Sequence, residues 1–115
     1  MKVQAVVVHD GPWYAVAVIP AGTQLDVERL RHRTRRWNLR EATAPELPSL
    51  FPGLGRHAEP PPFARRYGLD LYLDRGLLDA AELEVGDGAP MPLHHYLLEE
   101  RPAVADLTTT ARRMS

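Results

Sequence analysis

The feature of this sequence that most restricts its fold is the run of three prolines at Pro60–Pro62. Proline has no backbone N–H and its φ stays near −65°, so three in succession exclude a helix interior and a central strand. Residues 46–51 upstream predict a short helix, and the alternating apolar residues over 69–73 downstream predict a half-buried strand. The chain between them is therefore predicted to be a stiff, extended loop, and long loops are often functional. The alternative is a rigid surface connection in which Phe63 serves as a hydrophobic plug.

Length and composition favour a single small domain. We expect one domain over residues 1–107 of the 115, followed by a polar tail over 108–115. No apolar run approaches the roughly 18 residues that a membrane helix needs, and residues 1–4 lack the features of a signal peptide, so a cytoplasmic protein is expected. The absence of cysteine excludes disulfides, a thiol nucleophile and a cysteine-based metal site.

Two segments near the start predict a β-hairpin. Residues 3–8 and 13–19 are rich in β-branched and aromatic side chains, and the turn sequence His-Asp-Gly-Pro over 9–12 joins them. Both segments are apolar at successive positions, which is typical of central strands that are covered on both faces.

A helix is predicted next, over residues 27–36, with Asp26 as its N-cap. A short strand over 37–40 follows it. The apolar spacing predicts that four side chains of this region face the core: Val27, Leu30, Thr34 and Trp37.

A capping box predicts a second, short helix. Thr43 is the expected N-cap, Pro45 lies in the first turn and Glu46 occupies the third position. The side chains of Thr43 and Glu46 can then each accept a hydrogen bond from the other residue's backbone N–H. The helix is expected to end near Phe51.

The last third of the chain predicts further strands and one helix. We expect a strand over 82–85, a helix from Pro92 to Glu100 and an edge strand over 104–107. This irregular order of strands and helices favours the α+β class over a regular βαβ array.

The order of these features resembles the YbaK / prolyl-tRNA-synthetase-associated domain family of aminoacyl-tRNA editing deacylases. The resemblance runs from about Gln4 to Leu107 and implies a twisted, mixed, barrel-like β-sheet with flanking helices. The segments that carry it are Glu46-Leu47, Phe51-Pro52, Pro61-Pro62-Phe63, Leu71-Tyr72-Leu73-Asp74 and Leu77-Leu78.

The resemblance also implies catalytic positions, at which this sequence differs from the family. The family places a lysine on the first strand, and the corresponding residue here is Gln4, with Lys2 on the same strand face as the possible substitute. The family's loop glycine corresponds to Ala58, with Gly55 three residues earlier. A cation and backbone N–H groups at these positions would orient the ester and stabilise the developing oxyanion.

The remaining implied contacts lie on the loop, on a later turn and on the arginine-rich segment. Arginine suits contact with tRNA phosphates, although a solvated helix face is the alternative for these side chains. His57, which lies in the loop, is a candidate general base or phosphate contact. The implied substrate-binding residues are Gly55, His57, Glu59, Pro60, Pro61, Pro62, Phe63, Gly86 and Asp87. The implied nucleic-acid-binding residues are Arg33, Arg36 and Arg40.

The implied reaction is hydrolysis of the ester between a wrong, small amino acid and the terminal ribose of a tRNA. The alternative is a non-catalytic binding or regulatory module of the same fold. No metal is expected, because the adjacent His94 and His95 diverge by about 100° on a helix and the other histidines are scattered. No cofactor is expected either, and the sequence has no P-loop and no GxGxxG motif. The expected partner is tRNA, with no membrane. The chain starts close to the hairpin, without the helical segment that family members carry ahead of it, so either the pocket is more open or a second copy or a partner protein closes it.

Overall fold

The fold begins with the predicted β-hairpin. A computed structural model describes residues 1–53, 60–85 and 90–109. In it β1 (Val3–Asp10) pairs antiparallel with β2 (Trp13–Pro20) over the full length of both strands. The turn needs Gly11, whose φ of 60° lies in the left-handed region that glycine adopts without a steric penalty.

The hairpin lies at the centre of a mixed sheet that has five strands within the described ranges. Their order is β3 (Arg40–Glu41), β1, β2, β4 (Asp70–Asp74) and β7 (Ala103–Ala105). The edge strand β3 pairs antiparallel with β1. On the other side, β4 runs parallel to β2, and β7 runs parallel to β4. The predicted mixed sheet and α+β class are confirmed.

A small second sheet adjoins the start of β1. It consists of β5 (Glu82–Leu83) and β6 (Met91–Pro92) in antiparallel pairing. The Glu84 carbonyl accepts a hydrogen bond of 3.4 Å from the Val3 N–H, and a parallel bridge joins Lys2 to Glu84. On the side away from β2, the start of β1 therefore pairs with Glu84 and its end pairs with β3.

Three α-helices flank the sheets within the described ranges. They are α1 (Val27–Thr34), α2 (Leu47–Leu50) and α3 (Leu93–Glu100). The first starts at its predicted cap, whereas the predicted Thr43 cap opens the 3₁₀ turn Ala44–Glu46 ahead of the second. Asp26 caps α1 by accepting a hydrogen bond of 3.3 Å from the Arg29 N–H.

The sheet is covered on both faces, as the apolar hairpin predicts. Side chains that alternate along β1 and β2 enter two separate cores, because successive residues of a strand point to opposite faces. The first core contains Val7, Val16, Val18, Phe51, Ala64, Leu71, Leu73, Leu77, Leu83 and Tyr96. The second core contains Val8, Ala15, Ala17, Ile19, Leu30, Leu39, Ala105 and Leu107.

The prediction that Trp37 faces the core is wrong. The Trp37 side chain is 58% exposed, and Leu39 is the fully buried residue of this segment. The helix ends at Thr34, because Arg35 adopts a left-handed φ of 58°, so the helical spacing that aligned Trp37 with Leu30 stops before it. The strand predicted over 37–40 is correspondingly displaced to Arg40–Glu41.

Two further findings concern the predicted C-terminal tail and the search for a membrane helix. Thr108 forms an antiparallel bridge with Leu25, so the first residue of the expected tail contacts the body of the domain. Within the described ranges, no helix combines the length and the apolar character that crossing a membrane requires.

Candidate functional site

A groove of about 660 Å³ runs along the edge of β1 that faces away from β2. Its walls come from β1, from the segment between β3 and α2, and from the proline loop, which are far apart in the sequence. The lining residues are Lys2, Val3, Gln4, Ala5, Val6, Val7, Ala21, Glu41, Ala42, Ala44, Leu47 and Pro60.

The floor of the groove includes one β1 residue, Ala5, whose backbone groups are unpaired with any described residue on the side away from β2. Val3 and Val7 turn their polar backbone groups away from β2, since the Val3 N–H donates to Glu84 and the Val7 carbonyl accepts from the Ala42 N–H at 2.8 Å. Backbone direction alternates along a strand, so Ala5 points its N–H and carbonyl the same way. No backbone group of the described ranges pairs with Ala5 on that side. The groove therefore offers one donor and one acceptor at its centre.

Two of the predicted catalytic residues meet in this groove. Lys2 and Gln4 are both exposed and lie two residues apart, hence on one face of β1. Pro60, a predicted substrate-binding residue, lines the same groove. The structure thus brings the start of β1 and the proline loop together.

The two walls of the groove differ in polarity. Glu41 pairs with Val8 across the β1–β3 ladder, which places it on the same sheet face as Gln4 and Lys2. The opposite wall is apolar: Ala42 and Leu47 pack against the first core. A ligand in the groove would meet charge on one side and small apolar groups on the other.

Helix α3 fixes the downstream end of the proline loop. The Tyr96 hydroxyl donates a hydrogen bond of 2.6 Å to the Pro62 carbonyl, and both residues are buried. The buried Glu100 carboxylate accepts from the Ala64 N–H at 3.0 Å and from the Arg65 N–H at 3.3 Å. Burial raises the pKa of Tyr96 well above its ordinary value, so its hydroxyl keeps the proton that it donates. Helix α3 therefore holds the downstream end of the proline loop in one position.

The other predicted loop residues contribute to this anchor or lie outside the described residues. Phe63 is partly buried against the first core, 6.0 Å from the Tyr96 ring, with the Arg66 guanidinium 4.8 Å above it. Pro61 is half-buried and does not line the groove. Six predicted site residues lie outside the described residues: Gly55, His57, Ala58, Glu59, Gly86 and Asp87.

A hydrogen-bonded carboxylate lies beside the groove, between the lining residues of the β3–α2 segment. Glu46 accepts from the Thr43 N–H at 2.7 Å, from the Thr43 hydroxyl at 2.8 Å and from the Tyr14 hydroxyl at 3.0 Å. These donors lower the pKa of Glu46 to about 2, and the bond to Glu46 raises the pKa of Tyr14. A carboxylate with so low a pKa is a weak general base at neutral pH, so Glu46 serves to hold the segment in place.

The predicted nucleic-acid contacts Arg33 and Arg36 lie on the α1 side of the sheet. The Arg36 guanidinium stacks 3.9 Å above the Trp13 ring and lies 3.6 Å from the Asp10 carboxylate. Partial burial raises the pKa of Tyr72, whereas the nearby charges of Arg33 and Arg36 oppose that shift. The Arg36 guanidinium is thus already in contact with an aromatic ring and a carboxylate of the protein itself, which leaves less of its charge for a nucleic acid.

The third predicted contact, Arg40, lies on the opposite face of the sheet. It pairs with His9 across the β1–β3 ladder, and its charge acts on Tyr14, which belongs to the first core. The three arginines therefore do not form one flat patch. Arg33 and Arg40 are exposed and form no ion pair with another described residue.

Histidine geometry gives no metal site in the described part of the chain. His94 and His95 are both exposed, and the His95 ring lies 3.3 Å from the Glu99 carboxylate. No group of three potential metal ligands comes together among the described residues.

Sequence reasoning missed the wall that comes from the β3–α2 segment. Glu41, Ala42 and Ala44 carry no local motif, and their place in the groove depends on the pairing of β3 with β1 across about thirty residues of chain. Tyr96 and Glu100 were also missed as anchors of the loop. Glu100 is buried in the structure. The one sequence signal for this is its helical spacing from Leu93 and Tyr96, which puts a glutamate in line with an apolar helix face.

Comparison with known proteins reveals similarity in structure only. No family model and no curated protein matches the chain. A candidate trans-editing enzyme for prolyl-tRNA synthetase is 23% identical with a TM-score of 0.79, covering 94% of this chain and 70% of that chain. A candidate signal transduction protein from Marinobacter aquaeolei is 21% identical with a TM-score of 0.79, covering 99% of this chain but 26% of the other. A hypothetical protein is 22% identical with a TM-score of 0.78 over 94% of this chain and 74% of that chain. At these identities the similarity shows the fold, which is that of the editing-enzyme structure.

Proposed function

We propose that this protein is an aminoacyl-tRNA deacylase that acts in trans in the cytoplasm and hydrolyses the ester of a tRNA charged with a wrong, small amino acid. The observation that carries the proposal is the groove along β1, where Lys2, Gln4 and Pro60 line one space. The fold shared with a candidate trans-editing enzyme gives further support.

Three groups of the groove support ester hydrolysis: a cation, an uncharged side-chain donor and a backbone N–H. Lys2 is the only lysine of the chain and supplies a cation for a phosphate or for the developing oxyanion. Gln4 donates hydrogen bonds without charge, and the free Ala5 N–H adds a fixed donor. The attacking group is a water, whose oxygen bonds to the carbonyl carbon while the ribose oxygen leaves with a proton. Glu46 is too weak a base to activate this water, so a free hydroxyl of the substrate's own ribose is the group that orients it.

The tRNA body would extend beyond the groove across exposed arginines. Arg33 and Arg40 have no ion-pair partner in the described ranges, which leaves both free to contact phosphates. Because they lie on opposite faces of the sheet, the tRNA would contact the protein on both sides of β3. A second copy or a partner protein that closes the groove is part of the proposal.

The test is hydrolysis of alanyl- and cysteinyl-tRNA for proline. We expect release of the amino acid well above the spontaneous rate. Lys2→Ala should lower that rate about a hundredfold, because the groove loses its one described cation and with it the charge that faces the phosphate or the oxyanion of the substrate. Gln4→Lys should raise it, because the new cation stands at the position that the resemblance assigns to lysine.

Arg75→Ala is the matched control. Arg75 is exposed, pairs with Asp106 at 3.3 Å and does not line the groove, so its loss removes a positive charge elsewhere. The urea midpoints of all variants should match that of the wild type, since the Lys2 backbone keeps its bridge to Glu84. A wild-type rate equal to the spontaneous rate would refute the deacylase proposal, and an unchanged rate in Lys2→Ala would refute the role of Lys2.

The second candidate is a non-catalytic module that binds tRNA or a small ligand. The observation that favours it is the uncharged Gln4 at the groove position where the resemblance implies lysine. Retained tRNA binding without turnover would favour this candidate. Turnover that increases with Gln4→Lys would instead indicate an enzyme with a weakened site.

A further inference from the structure

The groove has a carboxylate without a partner at the end away from Lys2. Glu41 is exposed, lines the groove and forms no ion pair or hydrogen bond through its side chain with another described residue. Its neighbour Arg40 does not neutralise it directly, because adjacent strand residues point to opposite sheet faces. Among the described lining residues, Glu41 is the one anion and Lys2 is the one cation.

Strand geometry places these polar groups in a row. Glu41 lies opposite Val8, and a strand advances about 3.4 Å per residue, so Gln4 lies about 14 Å and Lys2 about 20 Å along the strand from Glu41. All three side chains share one face of the sheet. The row therefore reads, from one end to the other, anion, neutral hydrogen-bonding group, cation.

A ligand that complements this row has a cation at one end and an anion at the other. An aminoacyl group on a terminal nucleotide has this order of charges: an α-ammonium group, then the ester carbonyl, then the ribose and its phosphate. Carboxylates bind ammonium groups through charge-assisted hydrogen bonds. The apolar wall of Ala42, Ala44 and Leu47 would face the amino-acid side chain and leave room for a small one.

We infer that Glu41 binds the α-ammonium group of the aminoacyl ligand, so that the groove selects ligands with a free amine. Gln4 then lies beside the carbonyl and Lys2 beside the phosphate. This inference rests on the proposed function for its ligand, and it assigns Glu41 a role in specificity and none in the hydrolytic step.

The test uses two stable ligands and needs no turnover. The first is an analogue of alanyl-adenosine 5′-monophosphate with an amide in place of the ester, and the second is the same compound acetylated on its α-amine. We expect the wild type to bind the free-amine analogue about tenfold more tightly by titration calorimetry. Glu41→Gln should reduce that preference to about twofold or less, because it keeps the shape of the side chain and removes its charge.

Glu82→Gln is the matched control. Glu82 is also exposed, lies in β5 and does not line the groove, so the preference should persist in this variant. Equal binding of both analogues to the wild type would overturn the inference, as would a full preference in Glu41→Gln or no binding of either analogue. Binding with the expected preference but without turnover of mischarged tRNA would uphold the role of Glu41 and refute the deacylase, so the two failures are distinct.

Discussion

Individual residues explain why the walls of the groove keep their shape. Glu46 collects three donors on one carboxylate and so ties Tyr14 on β2 to Thr43 at the start of the β3–α2 segment. The sequence predicted the Thr43–Glu46 capping box, but it did not predict Tyr14, which lies 32 residues away in the chain. A local cap thus becomes a link between two elements.

The low pKa of Glu46 predicts acid destabilisation. The folded pKa of about 2 lies below the ordinary 4.5, so the carboxylate stabilises the fold above about pH 4.5, and that contribution is lost as the pH falls towards 2. We expect Glu46→Gln to flatten the fall of the urea midpoint over this interval. Glu82→Gln, whose side chain is exposed, should retain the wild-type pH profile. An equally steep fall in Glu46→Gln would contradict the assignment.

Among the elements, α3 has the clearest effect on the site. Its buried face carries Tyr96 and Glu100, which bind Pro62 and the two N–H groups that follow Phe63. Three prolines leave the loop poor in backbone donors, so its carbonyls and the first N–H groups after it need partners from elsewhere. Helix α3 supplies them and determines where Pro60 enters the groove.

Removal of one hydroxyl from this anchor tests its contribution. Tyr96→Phe should lower the free energy of unfolding by about 1–3 kcal/mol, because the buried Pro62 carbonyl loses its donor. Tyr67→Phe is the control, since Tyr67 is half-buried and its hydroxyl has no partner among the described residues. Urea unfolding measures both. Equal stability of the two variants would show that the Tyr96 hydrogen bond contributes little.

At the scale of the whole molecule, the order of strands determines which parts of the sheet unfold locally and which unfold only with the whole domain. Strand β2 pairs with β1 on one side and with β4 on the other, and it contributes side chains to both cores. Strand β3 has two residues and lies at an edge. The groove wall formed by β3 is therefore the part of the sheet with the least support.

Amide exchange should show this difference. The Ala42 N–H donates to Val7 at the edge, and the Ala17 N–H lies in the ladder between β1 and β2. We expect Ala17 to exchange only through global unfolding and Ala42 through local opening, with a protection lower by orders of magnitude. NMR-detected exchange at constant pH provides the comparison. Equal protection at both amides would mean that the groove wall opens only with the whole domain.

The sequence alone was sufficient for features that arise between near neighbours. The hairpin, the Asp26 cap, the Thr43–Glu46 box and the helix from Leu93 to Glu100 follow from alternation, capping chemistry and proline placement, which act over a few residues. The α+β class also followed, because it depends only on the order of such elements.

Tertiary structure alone decided how distant segments meet. It set the parallel pairing of β2, β4 and β7, brought Glu41 to the edge of β1, exposed Trp37 and buried Leu39. Each of these depends on which strand pairs with which and in what register, and a register is selected by the burial of both faces together. No short stretch of the chain carries that information, so the groove became visible only once the sheet was assembled.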